Sequence, residues 1–257
     1  MELGLKGKSV LLVGASRGVG LEAATMFATE GANVMLIGRS EESLRQAVAR
    51  VKKESGNRNV EFFVGDIRER ESHLRIVEAT VAKFGTINIL VNNAGAALAN
   101  PNMDMTDDLW TEALHYKLLG YIRTTMAAFP IMRKNGGGAI VNVVGGTGRE
   151  PYSWTSSTGV VNAGLLNFTK STATQYAASG VRVNAVNPRQ IDTKRLSDFR
   201  TVEPDGYERT IAEIPLGRLG RPDEVASIIV FLSSDRSSFI TGTAIDVDGG
   251  ATRSVSF

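Results

Sequence analysis

A glycine-rich turn follows the first apolar run of the sequence. It reads Gly14-Ala15-Ser16-Arg17-Gly18-Val19-Gly20, and a helix-like segment starts behind it at Leu21. Glycines allow a backbone to turn tightly and approach a pyrophosphate, and a helix N-terminus offers free N–H groups and the positive end of its dipole. We therefore expect a dinucleotide site that includes Gly14, Ser16, Arg17, Gly18, Val19 and Gly20. The alternative is a glycine-rich strand–helix turn without a ligand.

The second apolar run ends in a cation where an NAD site usually carries an acid. It ends in Ile37-Gly38-Arg39-Ser40, so no Asp or Glu stands there to bond a ribose 2′-hydroxyl. Arg39 and Arg17 can instead converge on a 2′-phosphate, because a guanidinium matches a phosphate bidentately. We expect NADP(H) in preference to NAD(H), with Arg39 and Ser40 among the cofactor-binding residues. The alternative is that Arg39 is a solvated loop residue.

The elements that must position these residues are short apolar runs alternating with helix-like segments. The runs cover Ser9–Val13, Asn33–Ile37, Val60–Val64, Ile87–Val91, Ala139–Val144, Val181–Val186 and Thr243–Val247. Helix starts are expected at Ser40, Thr106 and Pro222. Strand–helix alternation of this kind predicts a doubly wound parallel sheet. We therefore predict one α/β, Rossmann-like domain of seven parallel strands over residues 1–257, with a lid-like segment at about 189–216.

Composition excludes several classes of function. The chain has 257 residues, a formal net charge of +2, two histidines and no cysteine. Without cysteine there is no disulfide, thiol nucleophile or Cys-based metal site, and no Lys/Arg-rich run indicates nucleic-acid binding. No apolar stretch approaches the roughly 18 residues that a membrane span needs. We expect a cytoplasmic protein with a small-molecule substrate and with no metal, nucleic-acid or membrane partner.

Further motifs carry a resemblance to a known family. They are Asp66 after the third run, Asn92-Asn93-Ala94-Gly95 at the end of the fourth, Pro188 five residues before Thr193, Pro215–Ala226, Phe239–Gly242 and Val247–Gly250. With the glycine-rich turn, they make the chain resemble the short-chain dehydrogenase/reductase family from about Lys6 to Gly250. The resemblance implies an oxidoreductase acting on a small carbonyl or alcohol, and a homotetramer. It adds to the cofactor site Asp66, Ile67, Asn93, Ala94, Gly95, Pro188, Ile191 and Thr193.

The catalytic positions that the resemblance implies carry other residue types. Family members reduce carbonyls with a Ser, a Tyr and a Lys, usually with an Asn on the fourth helix. Alignment on the flanking residues puts Lys117 at the Asn, Gly145 at the Ser, Thr158 at the Tyr and Asn162 at the Lys. The glycine that follows Pro188 in the family is Arg189. The chain is thus expected to be an atypical member.

Three interpretations remain open. In the first, the chemistry is relocated, and Lys117, Tyr152 and Thr158 are the candidate catalytic residues: Lys117 as proton donor or relay, Tyr152 in place of the missing phenol, Thr158 as a hydrogen-bonding group. The alternatives are that Lys117 is a structural tether to a backbone carbonyl or a solvated helix lysine, and that Tyr152 and Trp154 are aromatic residues of the pocket wall. In the second interpretation, the protein binds NADP(H) without turnover, as a sensor or partner subunit. In the third, it is a non-redox isomerase or lyase.

Overall fold

A computed structural model gives one seven-stranded parallel sheet, which confirms the predicted doubly wound α/β fold. The structure describes residues 2–95, 105–152, 155–194, 196, 207–208 and 211–254. The strands are β1 (Ser9–Val13), β2 (Asn33–Gly38), β3 (Val60–Val64), β4 (Ile89–Asn92), β5 (Gly138–Val143), β6 (Val181–Pro188) and β7 (Ala244–Val247). Their spatial order is β3-β2-β1-β4-β5-β6-β7. The chain order therefore reverses between β1 and β4, where open α/β sheets bind ligands.

Helices cover both faces of the sheet. In the described part of the chain they are α1 (Gly18–Thr29), α2 (Glu41–Ser55), α3 (Ser72–Phe84), α4 (Asp107–Ala113), α5 (Gly120–Lys134), α6 (Ser156–Tyr176) and α7 (Pro222–Ser233). Two apolar clusters lie between sheet and helices. One contains Phe27 and Leu44, and the other contains Tyr121, Met132 and Leu165. Because both faces are covered, all five positions of β1 are buried.

The three predicted helix starts are confirmed. Ser40 caps α2 by accepting a hydrogen bond from the Ser43 N–H, and Thr106 caps α4 by accepting one from the Leu109 N–H. Pro222 is the first residue of α7. These residues satisfy or remove N–H groups that would otherwise lack a partner at the start of a helix.

The helix that starts at Thr106 contains a wide turn that the sequence did not predict. A π-helical segment, Leu114–Leu119, joins α4 to α5, and the helical run passes Pro130 and ends at Lys134. A π-helical turn closes with i→i+5 hydrogen bonds and is frequent at functional sites.

A buried network of polar side chains ties the central strands to α5 and α6. The Asn92 amide donates to Asn142 Oδ1 (2.9 Å), and the Asn142 amide donates to Thr169 Oγ1 (3.0 Å). The Thr124 hydroxyl donates to Asn92 Oδ1 (2.8 Å). All four side chains are buried. Because buried polar groups are costly without partners, this network fixes α5 and α6 relative to β4 and β5.

The lid-like segment predicted at about 189–216 falls largely on residues outside the described set. Residues 195, 197–206 and 209–210 are not described, so the lid stays a prediction. None of the helices in the described ranges has the length and apolar character needed to cross a membrane.

Candidate functional site

The glycine-rich turn lies against the end of β4. Val13 of β1 pairs with Asn92 of β4, so the residues that follow both strands meet at one edge of the sheet. Gly14 has a φ of +81°, and a Cβ at this position would lie 2.6 Å from Ala94 Cα. The Asn93 amide donates to the Gly14 carbonyl (2.8 Å). The predicted turn and the predicted Asn93-Ala94-Gly95 segment therefore form one rigid edge.

A cleft of about 910 Å³ opens beside this turn. Five of the predicted cofactor residues line it: Ser16, Arg17, Arg39, Ser40 and Asp66. Arginines outnumber acids on its wall, where Arg50, Arg68 and Arg75 also lie, together with Glu69. A groove with this charge favours an anionic ligand.

Three of these five arginines already pair with acids. The pairs are Arg50 with Glu22 (2.9 Å) and Glu54 (2.8 Å), Arg68 with Asp66 (2.5 Å), and Arg75 with Glu69 (2.6 Å). Arg17 and Arg39 form no ion pair with any described residue, and both are exposed. Among these arginines, Arg17 and Arg39 are thus the two without an ion pair to a described acid.

Asp66 is ionised and held in place at the edge of the cleft. Burial alone would raise the pKa of its carboxyl, but hydrogen bonds from Arg68 and the charges of Arg68 and Arg39 lower it. Arg68 reaches both carboxylate oxygens, with Nε 3.1 Å from Oδ1 and 2.8 Å from Oδ2. The neighbouring Ile67 is 4 % exposed and packs against Gly120.

The remaining predicted cofactor residues lie at the ends of β4 and β6. Gly95 follows β4, and a Cβ there would lie 3.4 Å from Lys117 Cβ. Pro188 ends β6, and Ile191 forms an isolated parallel bridge with Gly220. The Thr193 methyl group is 3.7 Å from the position of a Cβ on Gly18, so this segment passes over the glycine-rich turn.

Lys117 is buried in the π-helical segment, with 5 % of its surface exposed. Its ammonium donates to the Val144 carbonyl and to Asn162 Oδ1 (2.9 Å), and it lies 5.8 Å from the ring centroid of Tyr121. The buried Tyr121 hydroxyl donates to the Val143 carbonyl (3.1 Å). Burial raises the pKa of Tyr121 well above its ordinary value, so this phenol stays neutral. The ammonium is thus held at the end of β5.

Asn162 on α6 fills the space beside Gly145. Its Nδ2 donates to Thr147 Oγ1 (2.8 Å) and lies 3.0 Å from the position of a Cβ on Gly145. Gly145 has a φ of +122°, which L-residues with a side chain rarely adopt. The amide therefore lies where the side chain of a serine at position 145 would begin. Thr158 lies one turn before Asn162 on the same helix and is half-buried.

Tyr152 contacts a different group of residues. Its hydroxyl accepts hydrogen bonds from the Arg189 guanidinium and from Gln190 Nε2 (3.2 Å), and the guanidinium carbon lies 5.2 Å from the ring centroid. Arg189 also pairs with Glu150 Oε2 (2.9 Å). The structure thus brings Lys117 to Asn162 and Gly145, and Tyr152 to the residues that follow β6.

Glu150 joins this second group to the C-terminal residues. Its Oε1 accepts hydrogen bonds from the backbone N–H groups of Arg253 (2.9 Å) and Ser254 (2.6 Å). Burial alone would raise the pKa of the Glu150 carboxyl, but the hydrogen bonds from Ser254, Arg189 and Arg253 lower it to about 2. Glu150 is therefore an anion at neutral pH.

The role of Arg189 was missed from the sequence, although a signal existed. A Cβ on Gly146 would lie 2.4 Å from Arg189 Cγ and Cδ, so the side chain at 189 needs a glycine at 146. The sequence signals available were the arginine in place of glycine after Pro188 and the glycine at position 146. No group of three or more residues suited to metal binding occurs among the residues that the structure describes.

Comparisons with known proteins find relatives over almost the whole chain. A family model described as enoyl-(acyl carrier protein) reductase matches residues 14–252. The 3-oxoacyl-(acyl-carrier-protein) reductase of Thermotoga maritima is 35% identical over 246 residues, which is 96% of this chain and 98% of that protein. The L-sorbose reductase of Gluconobacter frateurii, solved with NADPH and L-sorbose, is 30% identical with a TM-score of 0.92, covering 99% of this chain and 100% of that one.

A second solved structure is also similar to this chain. It is the NADPH-bound short-chain oxidoreductase of Pseudomonas aeruginosa, which contains an atypical catalytic center. It is 31% identical with a TM-score of 0.91, covering 97% of this chain and 99% of that one.

Proposed function

The chain belongs to the short-chain dehydrogenase/reductase family, and on that basis we propose that it is an NADP-dependent oxidoreductase that moves hydride to or from a small carbonyl or alcohol. One observation carries the choice of cofactor. Of the five arginines that line the cleft, Arg17 and Arg39 have no carboxylate partner among the described residues. Two such cations suit the dianionic 2′-phosphate that distinguishes NADP from NAD.

The residues of the cleft and of the glycine-rich turn fit this cofactor. The start of α1 would direct its backbone N–H groups at the pyrophosphate, Arg17, Arg39 and Ser40 would bind the 2′-phosphate, and Asp66 would bind the adenine. Gly95, Pro188, Ile191 and Thr193 would bind the nicotinamide half. When bound, the nicotinamide ring supplies or accepts the hydride. The NADPH in the sorbose reductase and Pseudomonas structures supports the same choice here.

Lys117 is our candidate for the proton donor or relay. Reduction of a carbonyl adds hydride to carbon and a proton to oxygen, so a proton donor must lie at the site. The Lys117 ammonium is buried at the end of β5 and lies between Val144 and Asn162. In this proposal Thr158 hydrogen-bonds the substrate, and Tyr152, which accepts hydrogen bonds from Arg189 and Gln190, is the second candidate donor. The atypical catalytic center of the Pseudomonas relative is a precedent for such a departure.

One observation favours a second function, NADP(H) binding without turnover. The Lys117 ammonium is anchored to a backbone carbonyl and an amide, which is also what a purely structural lysine does. In that case the protein is a sensor or a partner subunit that keeps the cofactor site.

A titration followed by a turnover screen tests the proposal. NADPH and NADH are titrated into the purified protein and binding is followed by calorimetry. NADPH binding at least about tenfold tighter than NADH binding is expected from two charge-assisted contacts to one phosphate. Equal affinities would overturn the choice of cofactor. A screen of aldehydes, ketones and secondary alcohols then separates enzyme from sensor, because a sensor gives tight NADPH binding and no turnover.

The homotetramer belongs to the same proposal. Met126 on α5 and Val160 on α6 are large apolar side chains with 61% and 52% of their surface exposed. A subunit interface on α5 and α6, which the family resemblance implies, would bury both side chains. Light scattering that gives the mass of a monomer would contradict this part of the proposal.

A further inference from the structure

We infer that Tyr116 is a specificity-determining residue of the cofactor site, because its ring positions the guanidinium of Arg39 for a 2′-phosphate. The inference rests on the proposed NADP preference. It concerns a residue of the π-helical segment to which the sequence assigned no role.

The geometry of three side chains carries the inference. The guanidinium carbon of Arg39 lies 5.8 Å from the ring centroid of Tyr116, and that of Arg68 lies 5.5 Å from the same centroid. Both distances are within the range of a cation–π interaction. Tyr116 is half-buried, whereas Arg39 is exposed on a loop. The ring is therefore the fixed surface on which an exposed cation rests.

Arg68 and Arg39 differ in whether their charge is paired with a carboxylate. Arg68 is held by the Asp66 carboxylate through a forked contact, with Nη2 2.5 Å from Oδ2. Arg39 has no carboxylate partner among the residues that the structure describes. The ring thus contacts one neutralised guanidinium and one whose charge remains available. A phosphate in the cleft therefore gains more from Arg39 than from Arg68, whose charge is already paired.

Tyr116 contacts the cleft through two of its arginines and from the π-helical segment. Tyr116 and Lys117 are consecutive residues of the π-helical segment. The Lys117 side chain extends to Val144 and Asn162, while the Tyr116 ring lies against Arg39 and Arg68. One turn of helix therefore contacts both Asn162 and two arginines of the cleft.

The test compares the wild type with Tyr116→Leu and Tyr116→Phe in calorimetric titrations of NADPH and NADH. Tyr116→Leu removes the ring, so NADPH affinity should fall about two- to fivefold while NADH affinity is unchanged. Tyr116→Phe keeps the ring and should bind both cofactors as the wild type does. Titration of 2′,5′-ADP and 5′-AMP should give the same contrast without the nicotinamide half.

Two results would overturn the inference. Equal weakening of NADPH and NADH by Tyr116→Leu would make the ring a platform for the adenine, and unchanged affinities would make the contact incidental. Thermal unfolding of each variant verifies that it is folded. A wild type that binds NADPH no better than NADH would refute the proposed cofactor instead, so the two failures are distinguishable.

Discussion

Lys117 and Asn162 form a hydrogen bond of 2.9 Å between a helix position where the family resemblance implies asparagine and one where it implies lysine. The two residue types have exchanged places, yet an ammonium and an amide still lie side by side. The resemblance implies a lysine on α6. In this chain the lysine is on the π-helical segment before α5 instead. The first prediction concerns Lys117, and the second concerns the contact of Asn162 with Gly145.

Lys117→Met should abolish most of the turnover on any substrate that the screen identifies. Methionine keeps an unbranched chain of similar length but has no ionisable group. Loss of a proton donor costs at least about 100-fold in rate. NADPH oxidation under saturating substrate measures the effect. Lys170→Met, which alters an exposed lysine of α6, is the matched control and should leave the rate unchanged. Wild-type turnover in Lys117→Met would remove Lys117 from the mechanism.

Gly145→Ala should destabilise the protein in a way that depends on Asn162. A residue with a side chain at a φ of +122° is strained by about 1–3 kcal/mol, and its Cβ would lie 3.0 Å from Asn162 Nδ2. In an Asn162→Ala background the close contact is absent, so the cost of Gly145→Ala should fall by about 0.5–1 kcal/mol. Urea unfolding of the four proteins of this cycle measures the coupling.

Gly56 provides the control for that cycle. It has a φ of +70° and no atom within 4 Å of the position of its Cβ. Gly56→Ala should therefore carry backbone strain alone, and its cost should be the same in the wild type and in the Asn162→Ala background. If the cost of Gly145→Ala is the same in both backgrounds, the Asn162 amide moves away from the new Cβ without a cost in the free energy of unfolding.

Arg39→Asp should move cofactor preference from NADPH toward NADH. The carboxylate repels a 2′-phosphate and can accept a hydrogen bond from a 2′-hydroxyl, so the ratio of NADPH to NADH affinity should fall about 10- to 100-fold. Arg50→Ala is the control, because Arg50 lines the same cleft but is paired with Glu22 and Glu54. An unchanged ratio in Arg39→Asp would refute the assignment of this residue to the phosphate.

Glu150→Gln should lower stability at neutral pH more than at acidic pH. The pKa of Glu150 is about 2 in the folded protein against an ordinary value of 4.5, so folding favours the carboxylate. Its stabilisation is present above about pH 4.5 and is lost as the pH falls toward 2. At pH 7 the free energy of unfolding should drop on the order of 1 kcal/mol, since solvent reaches this partly exposed side chain.

Urea unfolding at pH 7 and pH 3.5 checks this prediction. The difference between wild type and Glu150→Gln should narrow at the lower pH. Glu54→Gln, at an acid that pairs with Arg50 on the surface of α2, provides a comparison for the effect of removing a charge. A difference for Glu150→Gln that is the same at both pH values would contradict the role of its ionisation.

The sequence predicted most of the fold because its local signals agree with one another. Ser9–Val13 and Val60–Val64 are strands with the predicted bounds. The sixth strand extends two residues further than predicted, to Pro188, because Asn187 and Pro188 pair with Asp246 and Val247 of β7. Pairing with a distant strand is a tertiary effect, which the apolar pattern of a single run does not report.

The site was harder to predict because its residues meet through long-range contacts. The glycine-rich turn and Arg39 follow local motifs, and the structure brings them to one cleft. The contact of Tyr152 with Arg189 joins residues 37 positions apart. The π-helical turn has no apolar spacing that separates it from an α-helix, so Tyr116 had no visible role. Such contacts depend on how the elements pack.

The wide turn at Leu114–Leu119 depends on the number of residues in this segment, and the positions of Tyr116 and Lys117 depend on it as well. A turn with i→i+5 hydrogen bonds holds one residue more than an α-helical turn, so deletion of a single residue here would let the segment close as an ordinary α-helix. The flanking helices would keep their register, while the side chains within the segment would be redistributed around the helix axis, each by up to about 100°. In a comparison of related chains, a one-residue gap in this helix therefore indicates a different arrangement of Tyr116 and Lys117.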